Sequence, residues 1–253
     1  MHPRALLVAS ALLLGACAHG PTLPADAPLP GLELASRSGG GDDGSRCLVV
    51  FLPGLGDDAQ AFADHGFDTT LSSHGIDADL WAVDWRGVGL GHPELAERLA
   101  RDVRRRTAEK GYAKTWLVGV SLGGGGALHT SAETPELVDG VGALSPVFAD
   151  PFLVKDIRRR GGLHAWSPER PDHPSERVFD WLRHRQRPGG GQVPVFLGYA
   201  ADDPLAPISQ TVADALESGR VVVGGGGHAW NVWRELWQGF VASGRLQRSC
   251  GVR

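Results

Sequence analysis

Short apolar runs alternate with helical patterns along this chain, and that alternation limits the folds open to it more than any other feature. Apolar runs of strand length, bounded by turn residues, cover residues 47–52, 78–83, 115–120, 137–144, 193–199 and 220–223. Helical spacing covers residues 59–74, 94–110, 122–132, 208–217 and 230–242. This pattern predicts an α/β domain with a mainly parallel central sheet and helices on both faces. Ligands bind such domains at the carboxyl ends of the strands.

Length and composition fit one domain of this kind. The 253 residues include eight tryptophans and 42% apolar residues, enough for a sizeable core. The net charge of −4 gives no electrostatic case for nucleic acid, so we expect no such partner. Residues 146–192 break the alternation, and we predict that they form a small cap within a domain spanning residues 46–253. The alternative is a surface insertion with no role in substrate binding.

The first 17 residues, MHPRALLVASALLLGAC, have the pattern of an export signal. The basic Arg4 precedes an apolar run that ends at Leu14 and is too short to span a bilayer comfortably. The segment 14–17 resembles the lipobox of bacterial lipoproteins, which implies a signal peptide over residues 1–16 and a lipid on Cys17. The alternative is an ordinary signal peptide in which Cys17 is incidental. Residues 17–45 are then the lipidated cysteine and a flexible tether.

The lipobox resemblance implies a location in the bacterial envelope, with the membrane bound through the N-terminal lipid anchor. No aspartate directly follows Cys17. In lipoproteins this favours the outer membrane, so we expect the domain to face the periplasm. The sequence gives no oligomeric state.

Export leaves Cys47 and Cys250 as an even pair in an oxidising compartment. Cys47 opens the first strongly apolar strand, and Cys250 follows the last predicted helix. That helix returns to the end of the sheet where strands begin, so both thiols should lie at the same edge. We predict a disulfide between them; two free buried thiols are the alternative.

A G-x-S-x-G pattern lies at Gly119–Gly123, around Ser121. The pattern alone is weak in a chain with 36 glycines. Its context is more informative, because a predicted strand ends at Val120, a predicted helix begins at Leu122, and Ser121 lies at the corner between them. A nucleophile elbow requires this strand–turn–helix setting. Ser121 is therefore a candidate nucleophile, and a buried serine capping the helix is the alternative.

A serine nucleophile needs a base, and the base needs an orienting acid. The segment GYAADDPLAP follows the fifth predicted strand and resembles the acid loop of α/β-hydrolases, with Asp203 as the acid and Asp202 as its rival. The segment GGGGHAW follows the last predicted strand and offers His228 as the base. Both candidates follow strand ends, in the order serine, acid, histidine.

An oxyanion hole needs backbone N–H donors beside the nucleophile. One candidate is the amide of Leu122, the residue after Ser121. The loop Leu52–Asp57 resembles the oxyanion loop of the same superfamily, with Pro53 in place of its usual histidine, and implies the amide of Leu55 as the second donor. A plain turn at the end of the strand is the alternative.

These segments, in this order, identify the chain as similar to the α/β-hydrolase superfamily, specifically its esterase- and lipase-like serine hydrolases. The resemblance implies hydrolysis of a small-molecule carboxylic ester through an acyl-enzyme, with no cofactor and no metal. The same residues could serve a thioesterase or an acyltransferase. A third alternative is an envelope lipoprotein that binds ligands without catalysis on the same scaffold.

Overall fold

Seven strands form one sheet in the order β1-β3-β2-β4-β5-β6-β7. The computed structural model describes residue 24 and residues 26–34, 46–86, 93–184 and 193–251. The strands are β1 (Gly31–Leu34), β2 (Arg46–Leu52), β3 (Asp79–Val83), β4 (Tyr112–Val120), β5 (Gly140–Leu144), β6 (Val195–Ala200) and β7 (Val221–Gly224).

The described helices flank this sheet. They are α1 (Gln60–Asp64), α2 (Phe67–Ser73), α3 (Pro93–Lys110), α4 (Leu122–Glu133), α5 (Pro151–Arg159), α6 (Pro174–His184), α7 (Ala206–Ala213), α8 (Trp230–Ala242) and α9 (Arg245–Cys250). Short 3₁₀ turns occupy Pro135–Leu137 and Ser218–Arg220. None of the helices in the described residues is long and apolar enough to cross a membrane.

The predicted fold class is confirmed, since strands β2 to β7 pair in parallel and helices cover both faces. Successive residues of a strand point to opposite faces, so one strand feeds two cores. In β2, Leu48 and Val50 join the core beneath α3 to α7. Val49 and Phe51 join the core beneath α1, α2, α8 and α9. The carboxyl ends of the parallel strands therefore share one edge of the sheet, where a site can form.

The predicted flexible tether over residues 17–45 is wrong for its later part. Strand β1 pairs antiparallel with β3 as an edge strand, within residues assigned to the tether. The amide of Leu29 donates to Asp102 Oδ2 at 2.7 Å, and the carbonyl of Pro24 accepts from Arg98 at 2.6 Å. Strand β1 has only four residues and follows a proline-rich run, so its sequence pattern was too short to predict a strand. Cys17 and the signal segment lie outside the described residues.

The predicted continuous helix over residues 59–74 is also wrong, because two short helices replace it. Gly66 separates α1 from α2 and has a φ of 72°. This left-handed conformation suits glycine and turns the chain between the helices. Apolar spacing continues across the break, with Phe62 and Phe67 both buried, so periodicity could not reveal it.

The described part of the 146–192 excursion contains α5 and α6. Helix α5 packs against α7, and α6 packs against α4. Both helices thus extend the layer on the α4 side of the sheet. The excursion places Val147 and Phe148 beside the start of α4, where the candidate site lies.

The predicted disulfide joins Cys47 and Cys250 across 203 positions of sequence. Cys47 lies near the start of β2, and Cys250 ends α9. Both half-cystines are buried. The bond therefore closes the domain at the edge opposite the carboxyl ends of the strands.

Candidate active site

Ser121 occupies the corner between β4 and α4, at the carboxyl edge of the sheet. Its backbone has a φ of 52° and a ψ of −120°, which L-residues rarely adopt. The amide of Ser121 donates to the carbonyl of Leu144 at 2.8 Å, and its carbonyl accepts from the amide of Val147 at 2.9 Å. Contacts with the neighbouring strand and its following loop thus hold the strained corner in place.

Glycines on both sides of Ser121 make this corner sterically possible. A Cβ at Gly123 would overlap the backbone carbonyl of Leu52, at the end of β2. A Cβ at Gly119 would overlap the backbone of Gly123 itself. The first turn of α4 therefore packs directly on the strand ends, with no room for side chains between them.

The three glycines that follow serve a related purpose. Their contacts lie mainly with loops and less with the sheet. A Cβ at Gly124 would lie 3.1 Å from Pro146 Cα, and one at Gly125 would overlap the carbonyl of Val147. A Cβ at Gly126 would lie 2.8 Å from the Trp85 ring. The glycines let the 146–148 loop and Trp85 approach the helix.

The structure brings Ser121, Asp203 and His228 together, although 107 positions separate the serine from the histidine. Nε2 of His228 lies 2.7 Å from Ser121 Oγ, and Nδ1 lies 2.6 Å from Asp203 Oδ2. Ser121 and Asp203 are buried, and the imidazole retains 22% of its side-chain exposure. A serine, a base and an acid form one continuous hydrogen-bonded chain that opens toward solvent at the imidazole.

Asp203, rather than Asp202, faces the histidine. The Asp203 side chain is 1% exposed, whereas Asp202 lies on the surface. The second carboxylate oxygen, Oδ1, accepts from the amide of Leu205 at 2.8 Å. With one oxygen bonded to the backbone and the other to His228, the carboxylate has a single orientation.

Trp233 supports the imidazole from the first turn of α8. Its ring lies edge-on to that of His228, with ring centres 4.9 Å apart and planes at 88°. The sequence analysis did not identify this residue. Trp230 stacks on His65 at 4.6 Å. The available signal was that Trp233 lies one helical turn after Trp230, close to the histidine loop.

The two residues with candidate oxyanion amides also lie at this corner. Leu122 begins α4, and the first amides of a helix have no acceptor within it. A Cβ at Gly54 would lie 3.4 Å from Ser121 Cβ, so the loop carrying Leu55 touches the serine. The side chain of Leu55 is 75% exposed. The start of α4 and the loop that carries Leu55 therefore both lie beside Ser121.

An ion pair ties the Leu55 loop to the loop after β3. Arg86 Nε donates to Asp84 Oδ1 at 2.9 Å, and Arg86 Nη1 lies 3.4 Å from Asp58 Oδ2. The Arg86 side chain, bonded to Asp84, lowers the pKa of that carboxyl below its ordinary value. The arginine thus braces two loops of the site.

A cavity of about 220 Å³ lies along α4 beside the serine. Leu122 and Val147 line its near end, and Trp85 forms part of its wall. A second, more apolar groove borders Pro204 and Leu205, on the acid side of the site. Among the described residues, no cluster of three or more His, Cys, Asp or Glu side chains could hold a metal ion.

Residues 48–163 match a family described as the alpha/beta hydrolase fold. The matched segment includes the strand–serine–helix corner and the loop that carries Leu55. The chain has the α/β-hydrolase fold. No curated protein matches it in sequence.

Solved structures share this fold at low sequence identity. Fluorophosphonate-binding serine hydrolase F of Staphylococcus aureus has a TM-score of 0.57 and 13% identity, over 85% of this chain and 98% of its own. S-formylglutathione hydrolase of Staphylococcus aureus has a TM-score of 0.56 and 14% identity, over 78% and 80%. Monoacylglycerol lipase of Paleococcus ferrophilus has a TM-score of 0.54 and 18% identity, over 86% and 100%.

Proposed function

We propose that this α/β-hydrolase-fold protein is a serine hydrolase that cleaves carboxylic esters through an acyl-enzyme. The observation that carries the proposal is the hydrogen-bonded chain from Ser121 through His228 to Asp203, located at a strained strand–helix corner. Solved proteins with the same fold include a serine hydrolase and a lipase by name, which supports the reaction class.

Acylation begins when Ser121 Oγ attacks the ester carbonyl carbon. Nε2 of His228 accepts the hydroxyl proton, and Asp203 stabilises the imidazolium from the other side of the ring. The carbonyl π electrons move onto oxygen and form a tetrahedral oxyanion. The amides of Leu122 and Leu55 donate to this oxyanion, and the N-terminus of α4 adds a favourable dipole. Collapse breaks the bond to the alcohol, which leaves with the proton from His228.

Deacylation repeats the same proton transfers with water in place of serine. His228 removes a proton from water, and the resulting hydroxide attacks the acyl carbonyl. The second tetrahedral oxyanion uses the same amides. When it collapses, His228 returns its proton to Ser121 Oγ, and the carboxylic acid leaves. Only this chain's own side chains and amides are needed.

We further propose that Cys17 carries a lipid that anchors the protein in the bacterial outer membrane. The domain then faces the periplasm. The support is the segment LGAC after a short apolar run, and the cysteine pair that suits an oxidising compartment. Metabolic labelling with a fatty-acid probe tests it: the wild type should be labelled, and Cys17→Ser should not. Equal labelling of both proteins would overturn the anchor.

Labelling with a fluorophosphonate probe tests the catalytic proposal. The wild type should react with the probe and hydrolyse activated acyl esters, and Ser121→Ala should do neither. Ser145→Ala is the matched control, since Ser145 is also buried, has a φ of 44° and directly follows the neighbouring strand β5. This control should be labelled like the wild type. Labelling that persists in Ser121→Ala would overturn the assignment.

A further inference from the structure

Within the part of the chain that the structure describes, buried polar atoms without a hydrogen-bond partner line the cavity along α4. Its near end is lined by Leu122, directly after the nucleophile, and by Val147, whose amide donates to the Ser121 carbonyl. His129 lies near the other end of its α4 wall, next to Thr130. Seven residues separate Leu122 from His129, which corresponds to about 10 Å along a helix. The cavity therefore extends from the reacting serine toward a buried imidazole.

His129 is 7% exposed, and neither of its ring nitrogens has a hydrogen-bond partner in the described part of the chain. Two further buried atoms in the same cavity wall, Nε1 of Trp85 and Nδ1 of His173, also have no partner among the described residues. An unpaired buried polar group costs about 1–3 kcal/mol, so folding alone does not favour such a set. Their common position around one cavity points to a ligand that completes their hydrogen bonds.

The chemistry of these groups indicates what that ligand must present. Burial lowers the pKa of the His129 imidazole, so the ring is neutral near pH 7 and offers one donor and one acceptor. Trp85 adds a donor. Among the described residues, the charges that act on His129 are Glu133 and Arg177, and these two are paired with each other, so the Arg177 charge is already balanced by a carboxylate of the protein. A hydroxyl group, which both donates and accepts, fits this environment.

Apolar side chains line the rest of the cavity. Leu95, Phe148 and Val178 form its walls together with the Trp85 ring. Such walls suit a carbon chain or ring between the reacting carbonyl and the polar end. The volume, about 220 Å³, is enough for one modest group.

We propose that this cavity is a substrate subsite for an uncharged, hydroxyl-bearing group of the ester, with His129 as the specificity-determining contact. The proposal rests on the proposed esterase function, because it assumes that Ser121 attacks the same molecule. It assigns the substrate class: an ester whose acyl or alcohol part carries a hydroxyl, separated from the carbonyl by a spacer that follows roughly two turns of α4.

Paired substrates test the subsite. One series consists of p-nitrophenyl esters of ω-hydroxy acids of increasing length, each matched with the ester in which methyl replaces the hydroxyl. A second series consists of acetate esters of diols and of the matching alcohols. At the chain length that brings the hydroxyl to His129, kcat/KM of the wild type should be about ten-fold higher for the hydroxyl ester than for the methyl ester. A factor of this size corresponds to one or two hydrogen bonds. An equal rate for every pair in both series would overturn the proposal.

Variants of His129 test whether this residue causes the preference for the hydroxyl ester. His129→Leu replaces the imidazole by an apolar side chain of similar size. This variant should lose the preference for the hydroxyl ester and still hydrolyse the matched methyl ester. His129→Gln restores one donor and one acceptor and should recover part of it. His164→Leu, at an exposed histidine outside the cavity, is the matched control and should behave like the wild type. A preference that survives unchanged in His129→Leu would overturn the assignment.

The outcomes also separate this proposal from the catalytic one. Failure of the proposed function appears as esters that are not cleaved at all, or as cleavage that survives Ser121→Ala. Failure of the subsite alone appears as Ser121-dependent cleavage with no hydroxyl preference. A third series of esters that end in a carboxylate tests the charge of the bound group. A stronger preference for the carboxylate than for the hydroxyl would overturn the proposal that the subsite binds an uncharged group.

Discussion

Asp203 and His228 are joined by a 2.6 Å contact between Oδ2 and Nδ1, made by two loops that follow neighbouring strands of the sheet. Asp203 directs its other oxygen to the backbone of its own loop. Because the carboxylate accepts at Nδ1, that nitrogen carries the proton, and Nε2 is left to accept from Ser121. The position of one buried carboxylate thus determines the tautomer that catalysis would require.

Replacing Asp203 by Asn should lower kcat by roughly three to four orders of magnitude, because an amide N–H at this position favours the wrong histidine tautomer. Asp202→Asn is the matched control, since Asp202 is exposed and one residue away. It should retain nearly full activity. Steady-state kinetics on an activated ester measure both variants, and a larger loss in Asp202→Asn would reverse the assignment.

Much of this arrangement could be predicted from the sequence, for a physical reason. Buried parallel strands are continuous apolar runs, so their ends could be located, and side chains at successive strand ends share one edge of the sheet. Ser121, Asp203 and His228 each follow such a run. Their mutual distances depend on the fold and became visible only in the structure.

The features that could not be predicted from the sequence depend largely on contacts between segments far apart in the chain. Strand β1 is only four residues long and depends on pairing with β3. The break at Gly66 lies within apolar spacing that continues on both sides. His129 looked like any histidine on a helix, because its lack of partners is a property of the surrounding cavity. Sequence patterns indicate burial and periodicity. The short strand β1, the break at Gly66 and the missing partners of His129 leave no mark on either pattern.

Gly123 and Gly239 are both helical glycines, and alanine should affect them in opposite directions. At Gly123 a Cβ would overlap the carbonyl of Leu52, so Gly123→Ala should destabilise the protein by about 3 kcal/mol or more. At Gly239 a Cβ would meet nothing within 4 Å, so Gly239→Ala should stabilise it by about 0.5–1 kcal/mol. Chemical denaturation measures both free energies of unfolding. Equal effects of the two substitutions would contradict the packing described for α4.

Removing the disulfide should lower stability and leave catalysis intact. The bond between Cys47 and Cys250 closes a loop spanning 203 positions, and loss of a native disulfide typically costs about 2–5 kcal/mol. The proposed catalytic side chains lie at the other end of the strands, so kcat/KM of the double variant with both cysteines replaced by alanine should match the wild type at 25 °C. Reductant should destabilise the wild type and have no effect on the double variant. A changed kcat/KM with unchanged stability would contradict this account.

The pH dependence of stability offers a separate readout of His129. Burial lowers the pKa of this imidazole in the folded protein below its ordinary value of 6.5. As the pH falls below 6.5, the unfolded chain takes up a proton that the folded protein resists. The folded state therefore loses stability from about pH 6.5 down to the lowered pKa, and the loss is complete below it.

His129→Leu removes this group and should flatten that part of the profile. The variant should be as stable as the wild type or more stable at pH 7.5, because an unpaired buried imidazole is replaced by an apolar side chain. Its advantage should grow as the pH is lowered toward 5, since other titrating groups contribute equally to both proteins. Denaturation curves across this range measure the difference, with His164→Leu as the control on an exposed histidine. A constant difference between His129→Leu and the wild type would mean that the folded protein protonates His129 as readily as the unfolded chain does.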